Sequence, residues 1–163
     1  MLEVYLLRHG IAEEGLSGGS DSMRALVPEG RRKLRDVLKV AKAARVKPGL
    51  IVSSPYRRAR QSAEIAADVL GYTKQIIESE TLLPSGSPAA VWDEIRAHRD
   101  EESILLVGHE PLFSQTTAHL LASPAMQVEF KKGALLRIDF DQFPPSPRGW
   151  LRWMLPPRLA GAD

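Results

Sequence analysis

Leu6-Leu7-Arg8-His9-Gly10 is the stretch from which the rest of the chain can be read. It ends an apolar run that starts at Glu3, and a short apolar run of this kind reads as a buried β-strand. The strand stops in a guanidinium, an imidazole and a glycine. Arginine holds phosphoryl oxygens through paired N–H donors, a neutral imidazole nitrogen can attack phosphorus, and glycine lets the backbone turn tightly beside both. The carboxyl end of the first strand is therefore equipped to handle phosphate.

Two further runs have the same look, Ile51-Val52-Ser53-Ser54 and Ile104-Leu105-Leu106-Val107. Helical patterns separate them: Pro28 to Val46 with Pro28 in the first turn, Pro55 to Leu70 closed by Gly71, and Ser87 to Arg99. Another helix is expected after Pro111, running to about Leu121. The alternation predicts an α/β fold, a three-layer αβα sandwich around a mostly parallel sheet. Strand-like segments at Val128–Phe130, Leu135–Phe140 and Trp150–Leu155 predict an antiparallel edge to that sheet. The prolines of Phe143–Pro147 mark a loop, and Gly15 to Ser22 reads as a mobile loop over the site. One domain is expected over 1–156, with a loosely held tail at 157–163.

Composition excludes several functions. The chain has 163 residues, 44% of them hydrophobic, enough for a sizeable core. Lys plus Arg number 22 against 20 Asp plus Glu, so a net charge of +2 offers no global attraction for nucleic acid, and anion recognition must be local. With no cysteine there is no disulfide, thiolate metal site or cysteine nucleophile. No run approaches the roughly 20 apolar residues of a membrane span, and Met1-Leu2-Glu3-Val4 leads directly into a strand, so a cytoplasmic protein that does not bind membranes is expected, as a monomer. There is no His-Glu-x-x-His, no Asp-rich loop and no P-loop, so no metal and no cofactor are expected.

Ligands of open α/β sheets bind beyond the carboxyl ends of the strands. The three runs end in Arg8-His9-Gly10, in Ser53-Ser54-Pro55-Tyr56-Arg57-Arg58-Ala59 and in Gly108-His109-Glu110-Pro111. Two imidazoles and at least two guanidiniums thus meet at one edge from segments about fifty residues apart. His98 and His119 fall inside predicted helices, where a solvated or packing role is expected. Arg31, Arg32, Lys33, Lys39 and Lys42 read as the solvated face of a helix whose buried stripe is Leu34, Val37, Leu38 and Ala41. Trp92, Trp150 and Trp153 read as core and sheet-edge packing.

Arg8, His9, Arg58 and His109 in this context resemble the histidine phosphatase superfamily, which also contains the phosphoglycerate mutases and acid phosphatases. Ser54-Pro55-Tyr56-Arg57-Arg58-Ala59-Arg60-Gln61-Ser62 is similar to the superfamily segment in which the phosphate-binding Arg comes three residues after Ser-Pro, a register that selects Arg58 over Arg57. The short length, Ser20-Asp21-Ser22-Met23-Arg24 and the turn Phe130-Lys131-Lys132-Gly133-Ala134 resemble the compact SixA-type branch, whose members remove phosphate from phosphohistidine in proteins. The resemblance implies a phosphoglycerate mutase-like fold. It makes His9 the nucleophile, with Arg8, Arg58 and His109 cradling the phosphoryl oxygens, and Arg24 and Ser22 further substrate contacts.

Superfamily members acting on esters carry an acid that protonates the leaving alkoxide. Glu80 and Asp21 are the nearest candidate proton donors here. A phosphohistidine leaves as an imidazole from a labile P–N bond and needs weaker acid catalysis. The partner expected is thus a phosphohistidine-containing signalling or phosphocarrier protein. The alternatives are a small phosphoester, hydrolysed by the same site with one of those carboxylates, and a phosphate-binding module without turnover.

Overall fold

A computed structural model describes residues 1–15 and 19–161. Leu16, Ser17 and Gly18, the middle of the loop expected over the site, lie outside the described residues. Six strands, β1 (Leu2–Arg8), β2 (Leu50–Ser53), β3 (Ile77–Glu78), β4 (Ser103–Gly108), β5 (Leu135–Phe140) and β6 (Trp150–Leu155), form one sheet in the order β3-β2-β4-β1-β5-β6. The first four are parallel, whereas β5 runs antiparallel to β1 and β6 antiparallel to β5. This is the expected αβα sandwich with its antiparallel edge.

Alternation along β1 divides the core. Tyr5 and Leu7 face one side with Ile51, Leu105 and Val107, covered by α1 (Pro28–Ala43) and α2 (Arg57–Leu70). Leu2, Val4 and Leu6 face the other with Ile104 and Leu106, covered by α3 (Pro88–Ala97) and α4 (Leu112–Leu120). Strands buried on both faces read as continuous apolar runs because helices cover each face. The stripe Leu34, Val37, Leu38 and Ala41 is buried as expected for α1. Ser87 caps α3 by accepting from Ala90 N–H at 3.2 Å.

The chain differs from the sequence reading in four places. Helix α1 stops at Ala43 rather than Val46: Arg45 is left-handed (φ 64°), Val46 N–H donates to Ala41 O, and Val46 turns back into the core. That closure is the Schellman type, made here without the usual glycine. Val128–Phe130 is not a strand, because the Phe130 carbonyl accepts from the Arg8 side chain instead of joining a ladder. The exposed pair Ile77–Glu78 adds a strand that no apolar run announced. Pro157–Ala160, expected in a loose tail, forms a 3-10 turn packed on α1, with Pro157 buried.

Candidate active site

The register of β1 against β4 pairs Arg8 with Gly108, so the residues that follow, His9 and His109, emerge side by side. Their rings lie 5.1 Å apart. Ser54 follows β2 on the other flank of β4, its N–H bonded to Val107 O at 2.9 Å. The next residues open α2, which carries Arg58 back over the strand ends.

Backbone contacts fix this corner. Gly10 N–H donates to Ser62 Oγ at 3.1 Å, and Ser62 Oγ donates to Arg58 O at 2.7 Å, tying the first loop to α2. A side chain at Gly10 would come within 2.8 Å of Leu34, so glycine is needed for the loop to lie against α1. Gly133, at φ 79°, turns the 131–134 segment so that its N–H reaches the carbonyls of Arg8 and His9.

The hydrogen bonds assign the His9 ring. Its Nδ1 lies 2.7 Å from the Gly10 carbonyl, which can only accept, so Nδ1 carries the proton. Nε2 then presents a lone pair and accepts from Arg58 Nε at 3.3 Å. Burial pushes the His9 pKa down to about 3, with the Arg58, Arg8 and Lys132 charges helping and the Gly10 bond opposing. His109 is likewise lowered to about 3, first by burial and then by His9 and Arg58. Its Nε2 lies 2.7 Å from Ser54 Oγ, while its buried Nδ1 has no partner among the described residues. Ser54 Oγ also accepts from Tyr56 N–H at 3.2 Å. Tyr56 presents its ring to His109 at 5.2 Å and to the Arg58 guanidinium at 5.0 Å.

The cationic side chains surround these rings. Arg8 Nη1 donates to Phe130 O at 2.7 Å, and its buried Nε has no partner among the described residues. Arg58, only 5% exposed, donates to Asp21 O at 2.8 Å and meets the Asp21 carboxylate at 3.2 Å. Arg57 points outward to the Met23 carbonyl at 3.3 Å, so the register that selects Arg58 is the one that enters the site. Together Arg8, His9, Arg24, Arg58, His109 and Lys132 bound a cavity of about 160 Å³, with Ala12, Pro84 and Glu110 completing its walls.

The remaining candidates separate. Arg24 reaches the cavity wall, braced by Asp21 at 2.8 Å and the Glu13 carbonyl at 2.7 Å. Ser22 does not line the cavity; its hydroxyl bonds Ser20 Oγ at 2.7 Å. Asp21 does not line the cavity but pairs with two residues that do, Arg24 and Arg58; although burial raises its pKa, these two outweigh this and hold it below the usual carboxylate range. That ionised state opposes the role of proton donor. Glu80 is exposed in a 3-10 turn (Glu80–Leu82) and does not line the cavity. Glu110 does line it, its Oε1 accepting the Ser114 N–H in the first turn of α4. Lys132, Glu110 as a wall residue, and Ser54 as the partner of His109 were not assigned from sequence. Among the described residues no three His, Cys, Asp or Glu side chains gather as a metal site requires, and no helix is long and apolar enough to cross a membrane.

Comparison with known proteins places the chain. The model of the histidine phosphatase superfamily (branch 1) matches residues 4–83. An uncharacterised protein of Picosynechococcus is 32% identical over 145 residues, 82% of this chain and 87% of that one. Phosphohistidine phosphatase SixA of Escherichia coli is 27% identical over 158 residues, 96% of this chain and 94% of that one. A structure of the protein histidine phosphatase SixA complexed with tungstate superposes with a TM-score of 0.86 at 26% identity, covering 96% of this chain and 98% of that one. The chain therefore belongs to the histidine phosphatase superfamily, in its SixA-type branch, and is a phosphatase of that superfamily.

Proposed function

We propose that the protein removes phosphate from phosphohistidine on a partner protein, through a phosphoryl group carried transiently on His9. The observation that carries the reading is the state of the His9 ring, neutral and buried, with Nδ1–H held by Gly10 and the Nε2 lone pair facing Arg58 Nε across a long 3.3 Å bond that a phosphoryl group would replace. In the first step Nε2 forms a bond to phosphorus as the substrate's P–N bond breaks, and the departing imidazole takes a proton from water. In the second, water attacks phosphorus, the bond to His9 breaks, and phosphate leaves as the water's proton passes to solvent.

Arg8, Arg58 and His109 would supply the fixed donors that the spread charge of the transition state requires. The unpartnered Arg8 Nε and His109 Nδ1 support this assignment, since buried polar atoms without partners are costly unless a ligand takes them. Arg24 and Lys132 add charge at the rim. Ser22, turned to Ser20, has no direct part in this reading. The substrate class is supported by the kinship with SixA proteins and by the carboxylates: Asp21 is committed to two arginines and Glu80 lies outside the cavity. Glu110 in the wall is the observation that favours a small phosphoester instead, because a carboxyl there could protonate an alkoxide.

The test is phosphate release from a histidine-phosphorylated carrier protein beside a panel of small phosphomonoesters, without added metal. Turnover of the carrier that is lost in His9→Ala supports the reading. Preference for the esters, lost in Glu110→Gln, would replace it with the phosphoester alternative.

A further inference from the structure

Arg8 and Lys132 are walls of two cavities at once. One is the pocket around His9, about 160 Å³; the other is an open groove of about 680 Å³ whose remaining lining is Ile11, Lys33, Lys131, Pro156, Pro157 and Arg158. Every charged side chain in that groove is a cation, in a chain whose net charge is only +2. Four segments contribute: the loop after β1, α1, the turn before β5, and the C-terminal 3-10 turn. Lys33 pairs with Glu29 at 3.2 Å and Lys131 with Glu129 at 2.8 Å, both with exposed carboxylates. Exposed pairs of this kind are weak and readily exchanged. Lys132 and Arg158 make no ion pair among the described residues.

We infer that this groove docks an acidic segment of the protein substrate, next to the phosphorylated residue; the inference rests on the reading of a phosphohistidine protein as substrate. The inner pocket, about 160 Å³, has room for a phosphoryl group with the ring that carries it, so the body of a protein substrate lies outside it. The groove opens from the same two cations, which places carboxylates of a docked chain beside the phosphoryl group. Ile11, Pro156 and Pro157 give the groove apolar surface for the body of an extended peptide, and its cations come from separate elements, the end of β1, α1, the turn before β5 and the C-terminal 3-10 turn. Charges at such a rim act on encounter and orientation, and they are screened by salt.

Two histidine-phosphorylated peptides that differ only in flanking residues, Glu in one and Gln in the other, test this directly. The wild-type protein should process the acidic peptide with a kcat/KM about five- to tenfold higher, the size expected from two exposed charge pairs, and the gap should close near ~0.5 M salt. Arg158→Glu and, separately, Lys131→Glu, both at exposed positions, should erase or invert the preference. Hydrolysis of phosphoramidate, too small to span the groove, should stay within about twofold in both variants. Equal rates on the two peptides would overturn the docking groove and leave the phosphohistidine reading standing. Turnover of p-nitrophenyl phosphate with neither peptide hydrolysed would overturn that reading, and the groove with it.

Discussion

Strand β1 feeds two charged clusters that meet opposite fates. Along its length Glu3 and Tyr5 join Arg137, Asp139 and Arg152 of the antiparallel edge; at its carboxyl end Arg8 and His9 join Arg58 and His109. In the first, Asp139, 2% exposed, accepts two bonds from Arg137 at 2.8 and 2.9 Å, with Arg152 at 3.6 Å and the Tyr5 hydroxyl bonded to Glu3 at 2.7 Å. The guanidinium fork is consumed by a carboxylate of the same protein. In the second, Arg8 Nε and His109 Nδ1 have no partner among the described residues, and the carboxylate on Arg58 comes from the exposed Asp21, which solvent or a phosphoryl group can replace. A satisfied cluster holds strands together, while an unsatisfied one is poised to bind an anion.

This contrast predicts where substitutions hurt. Arg58→Ala should lower kcat/KM by about a hundredfold or more with little change in stability, and Arg57→Ala should stay within about twofold. The reverse order would exchange the roles of the two arginines. Asp139→Ala should act on the other side of the comparison, lowering stability by about 2–3 kcal/mol in urea titrations, because it takes away the buried carboxylate that holds both arms of Arg137 and leaves only Glu3 at 3.6 Å. Its kcat should be unchanged once the protein is folded. A loss of activity without loss of stability would break the division between the clusters.

The two histidines also set a pH dependence. Both are held neutral with pKa values lowered from about 6.5 to about 3, so the folded chain stays unprotonated there while the unfolded chain takes up protons. Their stabilising contribution is complete above the unfolded value of about 6.5 and is lost as pH falls toward 3, by roughly 1.4 kcal/mol per pH unit for each ring. Between pH 6.5 and 5 the wild-type protein should lose roughly 2–4 kcal/mol more than the double variant His9→Gln/His109→Gln. Parallel curves would mean that both rings take up protons in the folded chain as they do in the unfolded one, and half the difference that only one ring is held neutral. The smallest effect expected is that of Asp21→Asn. With its carboxylate serving only to occupy Arg58 and Arg24, kcat should change by less than about threefold; a hundredfold loss would make Asp21 the proton donor.

The sequence made the sheet and its helices legible because the apolar periods are long and unbroken, as in Leu34, Val37, Leu38 and Ala41. The meeting of His9 with His109 was legible for a similar reason, since each directly follows a buried run. What escaped depends on contacts distant in sequence. Ser54 meets His109 only because β2 lies beside β4. Lys132 reaches the cavity only because Gly133 folds its turn against the end of β1. Asp21 was a candidate acid on residue type alone; its partners Arg58 and Arg24 decide its charge. Val128–Phe130 has the composition of a strand, but its carbonyl is claimed by Arg8.

The most direct test of the central claim is to look for phosphate on His9. Rapid quenching of the protein with a radiolabelled phosphohistidine substrate, followed by peptide mapping, should recover an acid-labile, alkali-stable label on the peptide containing His9, and none in His9→Ala. Turnover at full rate with no such label, or with the label on His109, would contradict the covalent role given to His9.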